Sequence, residues 1–299
     1  MHRVLLREHA FNVMGQRPAI DSRDYIVAFE LGSIEDCLQD FELPPGLAGF
    51  ETGLFLPRAD PDWFGRSAYP PRVLLLKHRA LSVVSHPSAL ERPCRWALEQ
   101  ISSVESGHML LKGWLRFTGS QFDYTVRYNT RGLRSVLWFM GQFRNQWLRS
   151  GEPGGPSAVH LGSGLDIKFA NALARELDSG ESIVAQMFQA PRAVGSKSWL
   201  LPYRRWIAGD LLALTTRRLL WITDRERGSY SRFGSIASYT PFDAVLRIGL
   251  TSDRGGQILQ VDLNSGSAWQ MPIAPENQRG AEDFAAALEV QKKQNQVPL

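Results

Sequence analysis

Cysteine is scarce in this chain: Cys37 and Cys94 are the only two in 299 residues. They form no CxxC pair and fall in different predicted elements. That excludes a disulfide framework and a cysteine-built zinc site, and it points to a reducing compartment. Long apolar runs are absent too; no stretch approaches the ~20 apolar residues that a spanning helix requires. The opening MHRVLLREHAFNVMGQ has no apolar centre of secretory length. The expected location is therefore cytoplasmic, with any membrane association confined to the surface. Lysine is rare, with 6 Lys beside 28 Arg, and the net charge is only +4. Residues 1–150 carry 18 basic and 15 acidic groups, and residues 151–299 carry 16 and 15. Neither half has the excess of a nucleic-acid-binding domain, so nucleic acid is not an expected partner. HExxH, GxSxG and a phosphate-cradling glycine loop are all missing. The six histidines (His2, His9, His78, His86, His108 and His160) show no metal-ligand spacing. No metal, cofactor or catalytic set is expected, and the chain reads as a non-enzyme, with an uncharacterised enzyme as the second alternative.

What is present is ordinary globular material, 43% hydrophobic and 21% charged, in a length that suits two domains. Similar segments occur twice in the same order. AFELGS (28–33) matches AVHLGS (158–163), and LFLPR (54–58) matches FQAPR (188–192). LLLKHRALSVVS (74–85) matches LALTTRRLLWIT (212–223), and ALEQIS (97–102) matches PFDAVL (241–246). The offset grows from 130 through 134 and 138 to 144, as two copies with loop insertions in the second would give. SGEPGGPSA (150–158) separates them and is rich in Gly, Pro and Ser. The expected division is an N-terminal extension over 1–27, a first domain over 28–150, a linker over 151–157 and a second domain over 158–299. HRVLLREH in the extension reads as an extra strand able to join a sheet edge.

In the second copy, LDIKFANALARELDSGE predicts a helix with Ile167, Phe169, Leu173 and Leu177 on its apolar face. Ser163 is its expected N-cap and Gly180 its stop. Helix capping also accounts for the closeness of His160, Ser163 and Asp166 in HLGSGLD. SIVAQMFQA, LLALT, LLWITD, YSRFGSIASYTPF, VLRIGLTS, QILQVDL and AWQMPI predict strands. AEDFAAALEVQKK closes as a helix with Phe284, Ala287 and Leu288 inward. The first copy repeats this order: a short helix at SIEDCLQDF, several strands, then a helix striped by Leu133, Val136, Leu137, Met140, Phe143 and Trp147. Each copy is thus a mostly β, α+β unit. The pattern predicts a strongly bent antiparallel sheet or open barrel of about seven strands, capped by a C-terminal helix.

LLALTTRRLLWIT, PFDAVLRIGL, the two terminal helices and DYTVRYNT resemble the bacterial pleckstrin-homology-like (PH-like, GRAM-like) domains. The resemblance covers roughly residues 28–149 and 158–293. It implies two tandem PH-like folds and a binding or assembly role without catalysis. It brings no catalytic residues. The first copy departs from the hairpin pattern, with Lys77 where the second has Thr215 and Ala80 where it has Arg218.

Charge and aromatics concentrate after the first strand of each copy. From Arg192 to Arg232 there are nine basic residues against three acidic ones. The candidate binding residues are Arg192, Lys197, Trp199, Tyr203, Arg204, Arg205, Trp206 and Arg218, with Trp63 and Arg66 in the first copy. Three readings stay open. Such residues suit a protein partner or self-association. They suit an anionic membrane surface or acidic ligand. They also suit plain core packing with solvated arginines. The expected function is a binding or scaffolding protein that engages a protein partner or forms a homo-oligomer. Of the central arginines of the 212–224 hairpin, Arg217 has a counterpart in Arg79. Arg218 has none and is the better ligand candidate.

Overall fold

The structure is a computed structural model that describes residues 27–30, 41, 43, 49–58, 69–89, 91–109, 112–148, 165–195, 204–226, 229–230, 234–253 and 256–296. The predicted helix at SIEDCLQDF with Cys37, the extension 1–26 and the linker 151–157 lie outside the described residues. The chain divides into two units by its contacts. One comprises Met1–Gln100, Leu111–Gly113 and Val126–Trp147; the other comprises Ile101–Leu110, Trp114–Thr125 and Leu148–Leu299.

The first unit is organised by the hairpin β3 (Arg72–Lys77) and β4 (Ala80–Ser85). Its two-residue turn places His78 and Arg79 at φ 47° and 55°. Two consecutive left-handed residues make a type I′ turn, whose twist matches that of the flanking strands. The sheet runs β1-β2-β3-β4-β5, with β1 at Val27–Glu30, β2 at Thr52–Leu56 and β5 at Cys94–Ala97. Its central strands are buried on both faces, which explains their continuous apolar runs. Phe55, Val73, Leu75 and Val84 pack with Phe41 and Phe50 on one side. Leu54, Leu74, Leu76, Leu81 and Val83 occupy the other. α1 (Leu133–Trp147) lies against β1 and β2 and buries Val136, Phe139, Met140, Phe143 and Trp147. Asn129 starts the preceding 3₁₀ turn (Thr130–Gly132) by accepting from the Arg131 amide.

The second unit carries the counterpart hairpin, β12 (Asp210–Thr215) and β13 (Arg218–Thr223). Both strands begin and end 138 positions after β3 and β4. Here the turn residues keep negative φ. Thr215 Oγ1 closes the turn by accepting from the amides of Arg217 at 3.2 Å and Arg218 at 3.0 Å. A seven-stranded sheet runs β8-β7-β6-β16-β13-β12-β9. Its remaining strands are β6 (Ile101–Met109), β7 (Lys112–Gly119), β8 (Phe122–Asn129), β9 (Ile183–Gln189) and β16 (Gly234–Pro241). A second sheet holds β17 (Val245–Asp253), β18 (Gly256–Leu263) and β19 (Ala268–Ile273). α3 (Gln278–Gln296) lies against β9 and β17. Together they enclose one core: Met187, Leu212, Leu214 and Leu219 meet Ile248, Leu259, Val261, Met271, Phe284 and Leu288. Each such side chain contributes about 1.5–3 kcal/mol by leaving water. Gln189 clips the sheets together, donating to the Pro272 carbonyl and accepting from the Ala274 amide, both at 2.8 Å.

The same succession of elements therefore occurs twice. 3₁₀ turns at Leu98–Gln100 and Phe242–Ala244 lie 144 apart and coincide with the ALEQIS and PFDAVL segments. β6 and β17 also share bounds at an offset of 144, and so do β7 and β18. Register agrees as well: Leu81 opposes Trp96 in one copy, and Leu219 opposes Thr240 in the other.

The helix α2 (Ile167–Glu176) corrects two expectations. Its N-cap is Asp166, whose Oδ1 accepts from the Lys168 amide at 2.7 Å, while Ser163 lies outside the described residues. Ile167 is 77% exposed rather than on the buried stripe, which Phe169, Ala172 and Leu173 form. The stripe starts later because Phe169 is the first of these side chains to reach the sheet, where its ring meets Phe188 at 5.1 Å. Gly180, at φ 78°, lies in the turn beyond the helix, which itself ends with Leu177 as C-cap. Among the described residues no helix is long and apolar enough to cross a membrane. No sheet formed by the described residues closes on itself.

Candidate functional site

Arg218 is the best-defined of the candidate residues, and it is a core residue with 0% exposure. It opens β13 directly beneath the turn that follows α2. The Glu181 carboxylate there takes a two-pronged hydrogen bond, from Nε at 2.9 Å and Nη2 at 2.7 Å. Nη2 also donates to the Glu176 carbonyl at 2.6 Å, and Asp178 stands 3.5 Å away. Glu181 accepts further from Thr215 Oγ1 at 2.7 Å and from the Asp178 amide at 3.0 Å. The Tyr239 ring lies 5.1 Å from the guanidinium carbon, and its hydroxyl donates to Glu176 at 2.7 Å. Every strong donor–acceptor set here is internal. The fork geometry of Arg suits this role, because one planar cation satisfies a carboxylate and a helix-end carbonyl together. Arg218 therefore ties α2, β12, β13 and β16 to each other and is not presented to a surface ligand.

The same network continues outward. Arg175 Nε reaches Glu176 at 3.3 Å, Nη2 reaches Ser235 Oγ at 3.3 Å, and Nη1 stands 3.3 Å from His108 Nε2. Burial pushes the His108 pKa below its ordinary value, Arg175 lowers it further, Glu176 opposes, and Lys168 adds a small lowering. The imidazole is thus held neutral, as an acceptor for Arg175. Nearby, Asp224 takes the Gly209 amide at 2.7 Å and Lys168 Nζ at 3.3 Å. Burial nevertheless raises its pKa above the ordinary carboxylate value, against the lowering by Lys168 and the amides.

With Arg218 inside, the basic excess of 192–232 belongs to two excursions of the second unit. β10 (Arg192–Gly195) pairs with β11 (Arg204–Ile207) between β9 and β12. β14 (Arg225–Glu226) pairs with β15 (Ser229–Tyr230) between β13 and β16. β11 lies against β15, so the two hairpins form one local cluster. Register brings Arg192 opposite Ile207, Trp206 opposite Ala193, Arg205 opposite Val194 and Arg204 opposite Gly195. Two of the three acids in the span are internal. Asp210 accepts from Trp221 Nε1 at 3.0 Å, and Asp224 is held as above. With Arg217 in the β12–β13 turn, the two excursions carry seven basic residues against Glu226 alone. Lys197, Trp199 and Tyr203 lie outside the described residues.

In the first unit the corresponding place is a cleft of about 330 Å³ lined by Arg58, Pro70, Pro71, Ser88, Ala89 and Glu91. Trp63 and Arg66 lie outside the described residues. Arg72 grips both Glu91 oxygens at 3.0 Å, and Ser85 Oγ donates to the same carboxylate at 2.6 Å. Glu91 is thereby neutralised, which leaves Arg58 as the cation of the cleft. Tyr69, at its margin, carries the Arg127 guanidinium 4.9 Å above its ring. Neither the Arg72–Glu91 pair nor the cleft was legible from spacing, since the partners are 19 residues apart. Burial and Glu91 raise the pKa of the neighbouring Cys94 thiol, with Arg72 opposing, which keeps it protonated and a poor nucleophile. Among the described residues no cluster of His, Cys, Asp and Glu has the makings of a metal site. No protein-family model, no curated protein and no solved structure matches this chain.

Proposed function

We propose that the chain is a non-catalytic binding protein of two PH-like modules. On this reading the second module docks an acidic protein segment on its β10–β11 and β14–β15 hairpins. The twice-repeated order of four antiparallel strands, three further antiparallel strands and a closing helix supports the modular part. In the first copy these are β2–β5, β6–β8 and α1. In the second they are β9, β12, β13 and β16, then β17–β19 and α3. One observation carries the binding part. Two of the acids that could neutralise the hairpins are turned into the core, and the basic β10–β11 pair lies beside β14–β15, whose strands carry Arg225 and Glu226. Arg with Trp and Tyr is the composition of an interaction hot spot, and unscreened charge of one sign accelerates encounter with the opposite sign.

The test measures binding of the full chain to a labelled polyglutamate peptide and, separately, to vesicles of anionic or zwitterionic phospholipid. The reading expects salt-sensitive peptide binding that weakens at least about tenfold in the Arg204→Glu/Arg205→Glu variant. Equal affinity of variant and wild type would refute it. Binding to anionic vesicles with none to the peptide would reassign the surface to a membrane.

A further inference from the structure

The repeated architecture has one inequality. Within the second unit β16 is paired on both sides, with β13 on one and β6 on the other. The counterpart of β16 in the first copy is β5, 144 positions earlier, and among the described residues β5 pairs only with β4. The counterpart of β6 is β17, 144 positions later, and among the described residues it pairs only with β18. Among the described residues, the two strands whose equivalents join each other are thus the two that pair on one side only, with the Ala97 amide at the end of β5 donating to Gln100 Oε1 at 3.0 Å. Open edges offer unpaired amides and carbonyls to another chain.

We propose that β17 of one molecule pairs antiparallel with β5 of a second copy of this chain, in the register that β6 and β16 already use. That register sets Glu105 opposite Ser238 and Val104 opposite Tyr239. Transposed by 144, Gly249 meets Cys94 and Ile248 meets Arg95. At the end of the ladder, Thr240 Oγ1 donates to the Ser102 carbonyl at 2.8 Å. The counterparts are Trp96 and Leu246. Leu246 is 62% exposed, a large apolar side chain left in water. Trp96 is half-buried on β5. A polar contact inside the chain is replaced between chains by an apolar one, which is the exchange expected where two surfaces meet from water. The Leu246 carbonyl, equivalent to the one that Thr240 satisfies, is met at 3.1 Å by Lys292 Nζ, which also pairs with Glu289 at 3.3 Å and which a strand partner has to displace. β5 and β17 are different surfaces, so the contact is head-to-tail and each added copy presents a fresh edge. This inference is independent of the acidic-partner reading.

The register supplies a direct test. Directly opposed residues of an antiparallel pair have Cα atoms about 4.5–5.5 Å apart, within the span of a disulfide. A side chain added at Gly249 meets nothing within 4 Å. Full-length Gly249→Cys in a Cys37→Ser background is mildly oxidised and resolved on non-reducing gels. The expected result is a ladder of dimer, trimer and higher species that disappears when Cys94→Ser is added. A dimer that survives Cys94→Ser overturns the proposal in favour of β17 meeting β17. Absence of any cross-link between chains, whether the introduced thiol stays titratable or joins Cys94 of its own chain, overturns it outright. As a second arm, Leu246→Asp and Trp96→Asp are each expected to lose concentration-dependent assembly in sedimentation. Mixed one to one, they restore a species capped at the dimer, because one intact β5 and one intact β17 remain. A mixture that stays monomeric, although both variants keep the wild-type circular dichroism, refutes the head-to-tail contact.

Discussion

Replacing Arg218 with Ala tests whether the buried guanidinium holds the second unit together. The change copies the first unit, where Ala80 occupies the equivalent position. In the second unit it would strand Glu181, whose side chain is as inaccessible as that of Arg218. Removing one partner of a buried pair costs about 3–5 kcal/mol, because the remaining charge keeps its desolvation penalty. The Glu176 carbonyl also loses a 2.6 Å donor, which adds to the loss. With a urea slope of about 2 kcal/mol/M, the midpoint of the second unit falls by roughly 2 M. Trp221, on β13, reports the transition by fluorescence. Glu181→Ala alone should cost a similar amount, and the double variant less than the sum, since removing both charges abolishes the orphan. A stability unchanged to within about 0.5 kcal/mol in Arg218→Ala, with loss of peptide binding instead, would show that the arginine serves a ligand and that the core argument is wrong.

Gly107→Ala is expected to expel the Trp114 ring. A Cβ there would sit 2.0 Å from Trp114 Cζ2, while Trp114 Nε1 is anchored to Glu105 at 2.6 Å. A loss of about 1–3 kcal/mol follows from overpacking, together with a red shift of tryptophan emission; unchanged emission and stability would contradict the stacking. His108 sets a pH dependence. Its folded pKa is depressed, so below about pH 6.5 the unfolded chain binds a proton that the folded chain refuses, and stability falls as pH drops toward the folded value. The facing charges are Arg175, Glu176 and Lys168, all on α2. His108→Gln should flatten that slope in urea titrations across about pH 5–7, and an unaltered slope would assign it elsewhere.

The hairpins at 72–85 and 210–223 were legible because apolar runs around a polar pair leave few other structures. The late strands and both closing helices were legible for the same reason, with Phe284 and Leu288 in the core as their spacing predicts. Arg218 was not. Its partner Glu181 lies 37 residues away, and a charged residue in a turn reads as solvent-facing until the fold brings a carboxylate over it. The only local hint was Thr215 three residues before it, the residue that caps the turn. Ile167 failed differently. Helical spacing identifies a stripe but not where along the helix its burial begins, and here Phe169, not Ile167, is buried against Phe188. The pairing of β6 with β16 had no sequence signature at all, since register between distant strands is decided by packing.

That last pairing also shapes how the chain is made. Val104 and Tyr239, opposed in its register, are separated by most of the length of a domain. About 125 residues leave the ribosome between the end of β6 and the start of β16. At roughly 5–20 residues per second, β6 waits between about 6 and 25 s for its neighbour. Closing so long a loop costs little more entropy than closing a shorter one, so the burden is one of time rather than of final stability. During that interval a nine-residue strand stands with an open edge on the nascent chain. The protein is then most exposed to chaperones and to its own neighbours on a polysome, and synonymous codons that slow synthesis between 110 and 233 would lengthen that exposure.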